Sequence, residues 1–388
     1  MNNRYEKYCT GCGLCAAFNK AKLQKGNKGF IYPIEADSTW LKKICPASGN
    51  QNQWMDGSIW GQYNSVQFGW SSDESLRAKA SSGGALTEIA SFMLEKRIVD
   101  SIIHTCVSAT NPTGTQACLS TTRDELKARC GSRYSISHPL EIINKLDLTK
   151  RYAFIGKPCD VIALRNFLNL NKEYRNVIVY TLSFFCAGLP SDAAQDKLLK
   201  ELGCNRNDCK CVVYRGNGWP GFATATDENG NEYKMDYDSS WGKILGRDIM
   251  PACRFCIDGI GETADIACCD GWYLNKDKTP DFSEHEGRNI IFARTDVGSK
   301  LLQQVISEGN LIIEDFPGFE SDMAYIQHFQ RERRETMLAK RVAMNIMFKP
   351  FPRYAWGNLL RYYHGSEFKY SWWTFKGTIK RILLGKIW

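Results

Sequence analysis

Four cysteines near the start of the chain have the spacing of metal-cluster ligands. They are Cys9, Cys12, Cys15 and Cys45, and a proline follows the last of them directly. Cysteine runs with this repeat bind 4Fe-4S clusters through their thiolates. The pattern therefore predicts an iron–sulfur site in which Cys45 is the fourth ligand. A structural zinc site is the alternative, because Cys-x2-Cys also occurs in zinc-binding proteins.

Asn19 narrows this prediction to one cluster. In two-cluster bacterial ferredoxins the run ends with a fourth cysteine, which binds the other cluster. Asn19 occupies that position here. We therefore expect residues 1–50 to form a ferredoxin-like module that holds a single 4Fe-4S cluster and receives electrons.

The composition indicates a reducing environment. The chain has 388 residues, of which 16 are cysteine, and this length allows two or three domains. The first residues contain no apolar run of the signal-peptide type, and no stretch is apolar enough to span a bilayer. Because disulfides are rare in reducing compartments, we expect a cytoplasmic protein whose cysteines are free or bind metal.

The middle of the chain alternates between two kinds of hydrophobic pattern. Short apolar runs typical of buried strands occur at 102–107, 152–156 and 177–185. Helical spacing occurs at 84–94, 161–170 and 191–202. The fold class is therefore predicted to be α/β (α+β).

Three regions are expected from these patterns. A polar stretch at 49–53 would link the module at 1–50 to a catalytic core at 65–315. A helical, basic and aromatic tail would occupy 320–388.

Four further cysteines could form a second cluster site. They are Cys159, Cys186, Cys253 and Cys256. The first two follow predicted strands, at the position where α/β sheets usually place their chemistry. An interpretation without metal stays open, because free cysteine is also an ordinary small buried residue.

Three other cysteines and two aspartates give weaker evidence for metal binding. Cys204, Cys209 and Cys211 could bind metal, although we favour a surface loop. Asp265 and Asp270 could support the proposed metal site from outside its ligands, or could be solvated strand ends.

A serine- and glycine-rich turn precedes the helical pattern that begins at residue 85. Its candidate binding residues are Lys79, Ser81, Ser82, Gly83 and Gly84. The free N–H groups at a helix start attract anions, and glycine lets a phosphate approach the backbone. The turn could therefore bind the pyrophosphate of a flavin or nucleotide, and an ordinary serine N-cap is the alternative.

Two more glycine-rich loops combine a basic residue with an aromatic ring. One contains Ser132 and Arg133, and the other contains Asn217, Gly218 and Trp219. Each could hold a phosphate or stack on a ring system, and each could also be a simple turn.

Motifs of hydrolases and kinases are absent from the sequence. The five histidines have no ligand spacing, and there is no nucleophile elbow or Walker loop. No residue stands out as a general acid or base, so catalytic residues are not predicted.

Taken in order, the motifs resemble the coenzyme F420 hydrogenase/dehydrogenase beta-subunit family. The similarity covers about residues 5–310. Its segments are the cysteine-rich head, 79–84 (KASSGG), 156–160 (GKPCD), 184–186 (FFC), 215–221 (RGNGWPG), 253–258 with 264–266, and 293–295 (ART).

The resemblance implies an iron–sulfur flavoprotein. In such a protein FAD exchanges a hydride with one partner and single electrons with the clusters. Carried over by motif, Ser82, Gly83 and Gly84 would contact FAD, and the four core cysteines would hold the second 4Fe-4S cluster. The family includes deazaflavin-coenzyme oxidoreductase subunits and the hydroxymethyl chlorophyll a reductase of plants, and bacterial relatives occur in polysaccharide-biosynthesis settings.

The tail carries the excess positive charge of the chain. Its residues 331–388 contain 13 Lys/Arg and three Glu, whereas the whole chain has a formal net charge of +8. Aromatic residues are interleaved with these cations from 348 to 388, as in helices that lie at a membrane interface.

We therefore expect 348–388 to contact the anionic inner face of a membrane or a protein partner. Packing against the body of the protein is an alternative. Single-stranded nucleic acid is another, but the predicted redox chemistry gives nucleic acid no role.

The leading hypothesis is an FAD-dependent iron–sulfur oxidoreductase. It would pass electrons from a ferredoxin-like donor to an organic or glycan-related substrate, in polysaccharide biosynthesis. The alternative is a non-catalytic electron-transfer subunit of a larger redox complex. A zinc-stabilised binding module without redox chemistry is the third hypothesis.

Overall fold

A computed structural model describes residues 7–49 and 55–387. Its strands are, in chain order, β1 (Lys22–Lys25), β2 (Ile31–Ile34), β3 (Ser65–Ser71), β4 (Ser101–Val107), β5 (Thr115–Ser120), β6 (Tyr152–Gly156), β7 (Ile178–Phe184), β8 (Cys209–Val213), β9 (Ala223–Asp227), β10 (Glu232–Met235), β11 (Ile266–Asp270), β12 (Asn289–Ala293) and β13 (Leu311–Glu314).

Helices surround these strands and form most of the carboxyl-terminal region. They are α1 (Leu14–Ala17), α2 (Ser38–Ile44), α3 (Glu74–Lys79), α4 (Ala85–Glu95), α5 (Arg123–Arg129), α6 (Pro158–Leu170), α7 (Lys172–Val177), α8 (Asp192–Leu202), α9 (Pro251–Arg254), α10 (Asp296–Ser307), α11 (Phe319–Ile326), α12 (His328–Glu335), α13 (Met337–Ile346), α14 (Trp356–Tyr363) and α15 (Phe368–Leu383). A π-helical turn at Asp238–Ile244 and short 3-10 turns at Pro46–Ser48, Ile143–Lys145 and Leu245–Arg247 complete the set.

An eight-stranded mixed sheet forms the centre, with the strand order β13-β3-β12-β11-β7-β6-β4-β5. Strands β4, β6, β7 and β11 are parallel to one another. Strand β12 is antiparallel to both β11 and β3, so β3 has the same direction as β11. The carboxyl ends of these five strands therefore share one edge of the sheet, and the predicted α/β class is confirmed.

Helices cover both faces of this sheet because its central strands are apolar on both sides. Alternate residues of one strand separate the two faces: Ala153 packs in the cluster that contains α4 and α10, and Phe154 packs in the cluster that contains α6. The strands and helices predicted between 84 and 202 are present, with ends that differ by up to three residues.

A second, antiparallel sheet has the order β10-β9-β8. It corrects the predicted surface loop around Cys204, Cys209 and Cys211. Cys209 and Cys211 lie in β8, and Cys204 and Cys209 are buried in the apolar cluster that joins this sheet to α8. Burial of Cys209 and Val212 against α8, together with pairing to β9, stabilises this segment as a strand.

The amino-terminal module packs between the core and the tail. Leu14 and Ile44 belong to the apolar cluster of α6, whereas Leu41 joins the tail residues Met337 and Tyr362 in another cluster. The predicted linker at 49–53 lies outside the described residues except for Gly49. The three-region division stays a prediction, although apolar contacts connect all three regions.

Among residues 7–49 and 55–387, no helix combines the length and the apolar character that crossing a membrane requires.

A buried carboxylate fixes the position of α4. Glu88 is fully buried and accepts two hydrogen bonds from Arg123, at 2.7 and 2.8 Å. Ser71 and Asn310 donate to the same carboxylate at 2.6 and 3.0 Å. Burial acts to raise the pKa of Glu88, but these hydrogen bonds outweigh it and the pKa is lowered. The network ties α4 to β3, α5 and the turn before β13.

Replacing Arg123 with methionine should lower the free energy of unfolding by about 3–5 kcal/mol, because it leaves the Glu88 carboxylate buried without its cation. Chemical denaturation of the purified protein measures this change. Arg175→Met, on the exposed side of α7, is the matched control and should change the free energy by less than about 0.5 kcal/mol. Equal effects of the two substitutions would contradict the role given to the Glu88 network.

Candidate functional site

A cavity of about 530 Å³ opens at the edge of the central sheet where the parallel strands end. Its lining comes from segments far apart in the chain, including Ser81, Ser82, Gly84, Ser132, Arg133, Lys157, Cys186, Arg215, Tyr237, Trp241, Asp270 and Trp272. This size lies within the range of ligand pockets, about 300–1,000 Å³.

The turn before α4 forms one wall of the cavity. Gly83 has no room for a side chain, since a Cβ atom would lie 2.8 Å from Cβ of Trp70 and 2.9 Å from Oδ1 of Asn289. Gly84 has a φ of 76°, in the left-handed region that glycine adopts most easily. The two glycines let the backbone pass close to β12 and then enter the helix.

Arg133 lies on a second wall of the cavity, and two of its three guanidinium nitrogens donate hydrogen bonds to the protein. Its terminal nitrogens donate to the backbone carbonyls of Val212, Pro112 and Gly114 at 2.7–3.0 Å. Its Nε is buried and has no hydrogen-bond partner in the part of the chain that the structure describes. A buried donor without a partner is costly, so this atom is suited to an acceptor on a ligand.

A second arginine packs against the aromatic residues of the cavity wall. Arg215 is buried and donates to both carboxylate oxygens of Asp270 at 3.0 Å. Burial acts to lower the pKa of Arg215, but the carboxylate outweighs it and the pKa is raised. The guanidinium lies over the rings of Tyr237 and Trp272, at 4.7 and 5.1 Å from their centroids.

Two tryptophans form a stacked pair behind this wall. The rings of Trp219 and Trp272 are 4.6 Å apart and almost parallel, with an interplanar angle of 6°. Trp219 is 1% exposed and its Nε1 donates to Asp270 at 3.1 Å. Trp272 lines the cavity and Trp219 supports it from behind.

The structure divides the ten predicted cofactor-binding residues into two sets. Those that line the cavity are Ser81, Ser82, Gly84, Ser132 and Arg133. Those that do not line it are Lys79, Gly83, Asn217, Gly218 and Trp219. In this second set, Gly218 donates its N–H to the Ala78 carbonyl, and the Lys79 carbonyl lies against Gly216.

The sequence patterns did not indicate three aromatic residues of the lining. Tyr237 directly precedes the π-helical turn, Trp241 lies in it, and Trp272 follows β11. The four-residue spacing of Tyr237 and Trp241 was the available signal, since residues so spaced share a face of a helical turn.

The amino-terminal cysteines meet as predicted. Cys9, Cys12, Cys15 and Cys45 line one small cavity of about 20 Å³. The Gly11 N–H lies 3.3 Å from the sulfur of Cys9. Backbone hydrogen bonds also reach the other three sulfurs, and burial raises the pKa of the Cys9 thiol to about 12.

The core cysteines also meet, and two cations face them. Cys159 follows β6, Cys186 follows β7, and Cys253 and Cys256 lie in and after α9. Burial raises the pKa of Cys253 to about 12 and that of Cys256 to about 11, and charge repulsion among the four thiols adds to the effect.

Lys157 and Arg333 oppose this repulsion at the core cysteines, whereas Asp160 and Asp258 reinforce it. Arg333 donates to the backbone carbonyl of Cys186 at 3.0 Å, which fixes the guanidinium beside the sulfur-bearing loop.

The amino-terminal cysteines, the core cysteines and the large cavity are neighbours in space, in that order. A second small cavity, of about 40 Å³, is lined by Cys159 and Cys256 and also by Thr10 and Pro46 of the amino-terminal module. Thr10 lines the first cysteine cavity as well, and Cys186 reaches the large cavity.

Within the described ranges, no three His, Cys, Asp or Glu side chains are arranged to hold a single metal ion. A 4Fe-4S cluster binds each of its four thiolates through a different iron, so its ligands are more widely spaced.

Asp265 and Asp270 are neither supports of the cysteine site nor solvated strand ends. Asp265 is buried and accepts hydrogen bonds from Arg165 and Thr295 at 2.7 and 2.8 Å. Asp270 binds Arg215, as described above. The acidic residue beside Cys256 is instead Asp258, which accepts the N–H groups of Ile260 and Gly261 and shapes the loop.

Two family models match the chain. The model "Coenzyme F420 hydrogenase/dehydrogenase, beta subunit N-term" matches residues 66–144, and its carboxyl-terminal counterpart for the same beta subunit matches residues 149–318.

Individual relatives are distant but similar over most of their length. The coenzyme F420 hydrogenase subunit beta of Methanococcus voltae is 21% identical over 287 residues, which cover 71% of this chain and 92% of the relative. The F420-dependent formate dehydrogenase subunit beta of Methanocaldococcus jannaschii is 25% identical over 221 residues, 56% of each chain.

A solved structure shows the same fold. A chain of the F420-reducing NiFe hydrogenase complex from Methanosarcina barkeri superimposes with a TM-score of 0.59 at 19% identity. The match covers 76% of this chain and 98% of that chain.

Arg215→Met should lower the free energy of unfolding by about 3–5 kcal/mol, because it leaves Asp270 partly buried without its cation. Urea denaturation measures the change. Arg247→Met, at an exposed position of the same region, is the control and should cost less than about 1 kcal/mol. The double variant Arg215→Met/Asp270→Leu should be more stable than the sum of the single effects implies, and strict additivity would contradict the pairing.

Proposed function

This chain belongs to the coenzyme F420 hydrogenase/dehydrogenase beta-subunit family, and we propose that it is an electron-transfer subunit of a larger redox complex. The names of its relatives are those of hydrogenase and dehydrogenase subunits. The observation that carries the proposal is the continuous arrangement of the amino-terminal cysteines, the core cysteines and the large cavity.

Each cysteine group fits a 4Fe-4S cluster by the chemistry of its donors. Four buried or partly buried thiols form each set, and the amino-terminal sulfurs receive backbone N–H bonds of the kind that stabilise cluster-bound thiolates. Clusters bound to Cys9, Cys12, Cys15 and Cys45, and to Cys159, Cys186, Cys253 and Cys256, would supply one-electron transfer.

The positions of the two groups support a direction of transfer. Cys186 of the core group lines the large cavity, whereas the four amino-terminal cysteines line a separate small cavity. The amino-terminal group is therefore proposed as the entry for electrons from a ferredoxin-like donor. Thr10 and Pro46 separate the groups by a thin layer of protein.

The large cavity is proposed to bind FAD. A flavin supplies the exchange between paired and single electrons. The chain provides the start of α4 and the Arg133 Nε for anionic phosphates, and Trp272 and Tyr237 for an aromatic ring system. Arg215 packs over both rings and holds them in place.

The subunit hypothesis is better supported than a reductase that works alone. The Methanosarcina barkeri chain of the same fold comes from a hydrogenase complex, which favours protein partners. Nothing in the names of the relatives supports a role in polysaccharide biosynthesis, and the cytoplasmic location stays a prediction.

Anaerobically purified protein should contain about eight iron atoms per chain, as two 4Fe-4S clusters require. Cys45→Ala and Cys253→Ala should each remove about half of the iron and one of two paramagnetic signals of the reduced protein. Iron and acid-labile sulfide assays with electron paramagnetic resonance measure this. Cys204→Ala, at a buried cysteine of the apolar cluster between α8 and the small sheet, is the matched control. Stoichiometric zinc in place of iron would disprove the relay.

The FAD proposal predicts about one flavin per chain, released by acid and identified by chromatography. Ser132→Trp should lower the flavin content at least tenfold, because the indole would occupy cavity volume beside Arg133. Ser307→Trp, at the exposed end of α10, should retain the flavin. Full flavin content in Ser132→Trp would place the flavin elsewhere, and wild-type protein with both clusters but no flavin would reject FAD alone.

A further inference from the structure

Helix α15 has one face that packs on the protein and one that does not. Ser371, Thr378 and Ile382 are buried, and the helix makes its main contact with α13. Opposite them lies a surface that we call the outer face of α15, formed by Lys369, Trp372, Trp373, Lys376, Lys380 and Leu383. Trp373 is 54% exposed and Leu383 is 72% exposed. The predicted packing of the tail against the body thus applies only to the inner face.

The outer face combines cations with indole rings. Nζ of Lys369 lies 4.8 Å from the ring centroid of Trp373, and Nζ of Lys376 lies 5.4 Å from that of Trp372. From 368 to 387 the chain contains five Lys/Arg and no acidic residue. The face is therefore complementary to a surface that is negatively charged and accepts aromatic rings.

Exposed aromatic and aliphatic side chains in a cluster mark an interaction site. Lysine is depleted at protein–protein interfaces, but it supplies three of the six residues of the outer face. A protein interface is therefore disfavoured here. Tryptophan at headgroup depth, flanked by lysine, is instead the composition of helices that lie in a membrane interface.

The position of α15 in the chain makes it separable from the shared fold. The family models end at residue 318, before α11 begins. The Methanococcus voltae relative is nevertheless matched over 92% of its own length. The outer face of α15 therefore lies outside the part of the chain that the family models match.

We propose that the outer face of α15 binds the surface of a bilayer containing anionic lipids, with the helix axis parallel to the membrane. Trp372, Trp373 and Leu383 enter the interfacial layer, and Lys369, Lys376 and Lys380 contact lipid phosphates. The helix, of 16 residues, stays outside the hydrocarbon core.

Vesicle flotation with the full chain tests this proposal. Wild-type protein should float with vesicles of phosphatidylcholine and phosphatidylglycerol and remain unbound with phosphatidylcholine alone. Because each lysine near an anionic surface contributes about fivefold to partitioning, Lys376→Glu/Lys380→Glu should lower the partition coefficient by about 25-fold or more. Lys197→Glu/Lys200→Glu on α8 carries the same charge change at exposed positions and should bind like the wild type.

A second measurement separates insertion from simple charge attraction. Lipids brominated on their acyl chains should quench tryptophan fluorescence of the wild type, and Trp372→Ala/Trp373→Ala should lose most of this quenching. Unchanged thermal unfolding and iron content show that these exposed substitutions leave the fold intact.

Three results would overturn the proposal. They are absence of flotation with anionic vesicles, equal losses in the α8 control, and full binding by either α15 variant. Full binding by the variants would assign the outer face to a protein partner instead.

Discussion

The parallel pairing of β6 with β7 is the constraint on which the site depends. Parallel strands end at the same edge of a sheet, so the residues after Gly156 and after Phe184 become neighbours. The Ser183 hydroxyl donates to the Gly156 carbonyl at 2.9 Å and fixes this end of the pair. Cys159 and Cys186 thereby meet, and the cavity opens beside them.

The tail is part of this site as well as an addition to the fold. Gln330 and Arg333 of α12 both donate to the Cys186 carbonyl, and Arg334 donates to the Ile257 carbonyl. One short helix beyond the family models therefore holds both loops that carry core cysteines. Arg334 is almost fully buried, and its ion pair with Glu262 offsets the cost of desolvating the guanidinium.

The tail consequently has two layers with different physical roles. Its inner layer, which includes Met337 and Tyr362, encloses the amino-terminal module in apolar contacts. Its outer layer on α15 presents tryptophan and lysine to the surroundings. A redox subunit with this arrangement would join a stable electron path to a separate attachment surface, so its position in the cell and its chemistry could change independently.

The sequence by itself determined the local features of this protein. Strands such as 152–156 could be predicted because a short apolar run is typical of a buried strand, and the amino-terminal cysteine group could be predicted because its thiolate spacing is specific. The core cysteines are scattered along the chain, so their grouping could be predicted only from two strand ends and from the resemblance to the family. Part of the cavity could also be predicted, since Ser81, Ser82 and Gly84 belong to a turn whose composition indicates its backbone shape.

Only the tertiary structure determined which residues, distant from one another in the chain, meet at the same wall of the large cavity. Trp272, Tyr237 and Asp270 meet Arg215 through strand order and the fold of the second sheet, and no local pattern encodes such contacts. The same reason explains Cys209, which is buried in a strand where a surface loop was expected. Burial is a property of the surrounding elements, so a short segment cannot specify it alone.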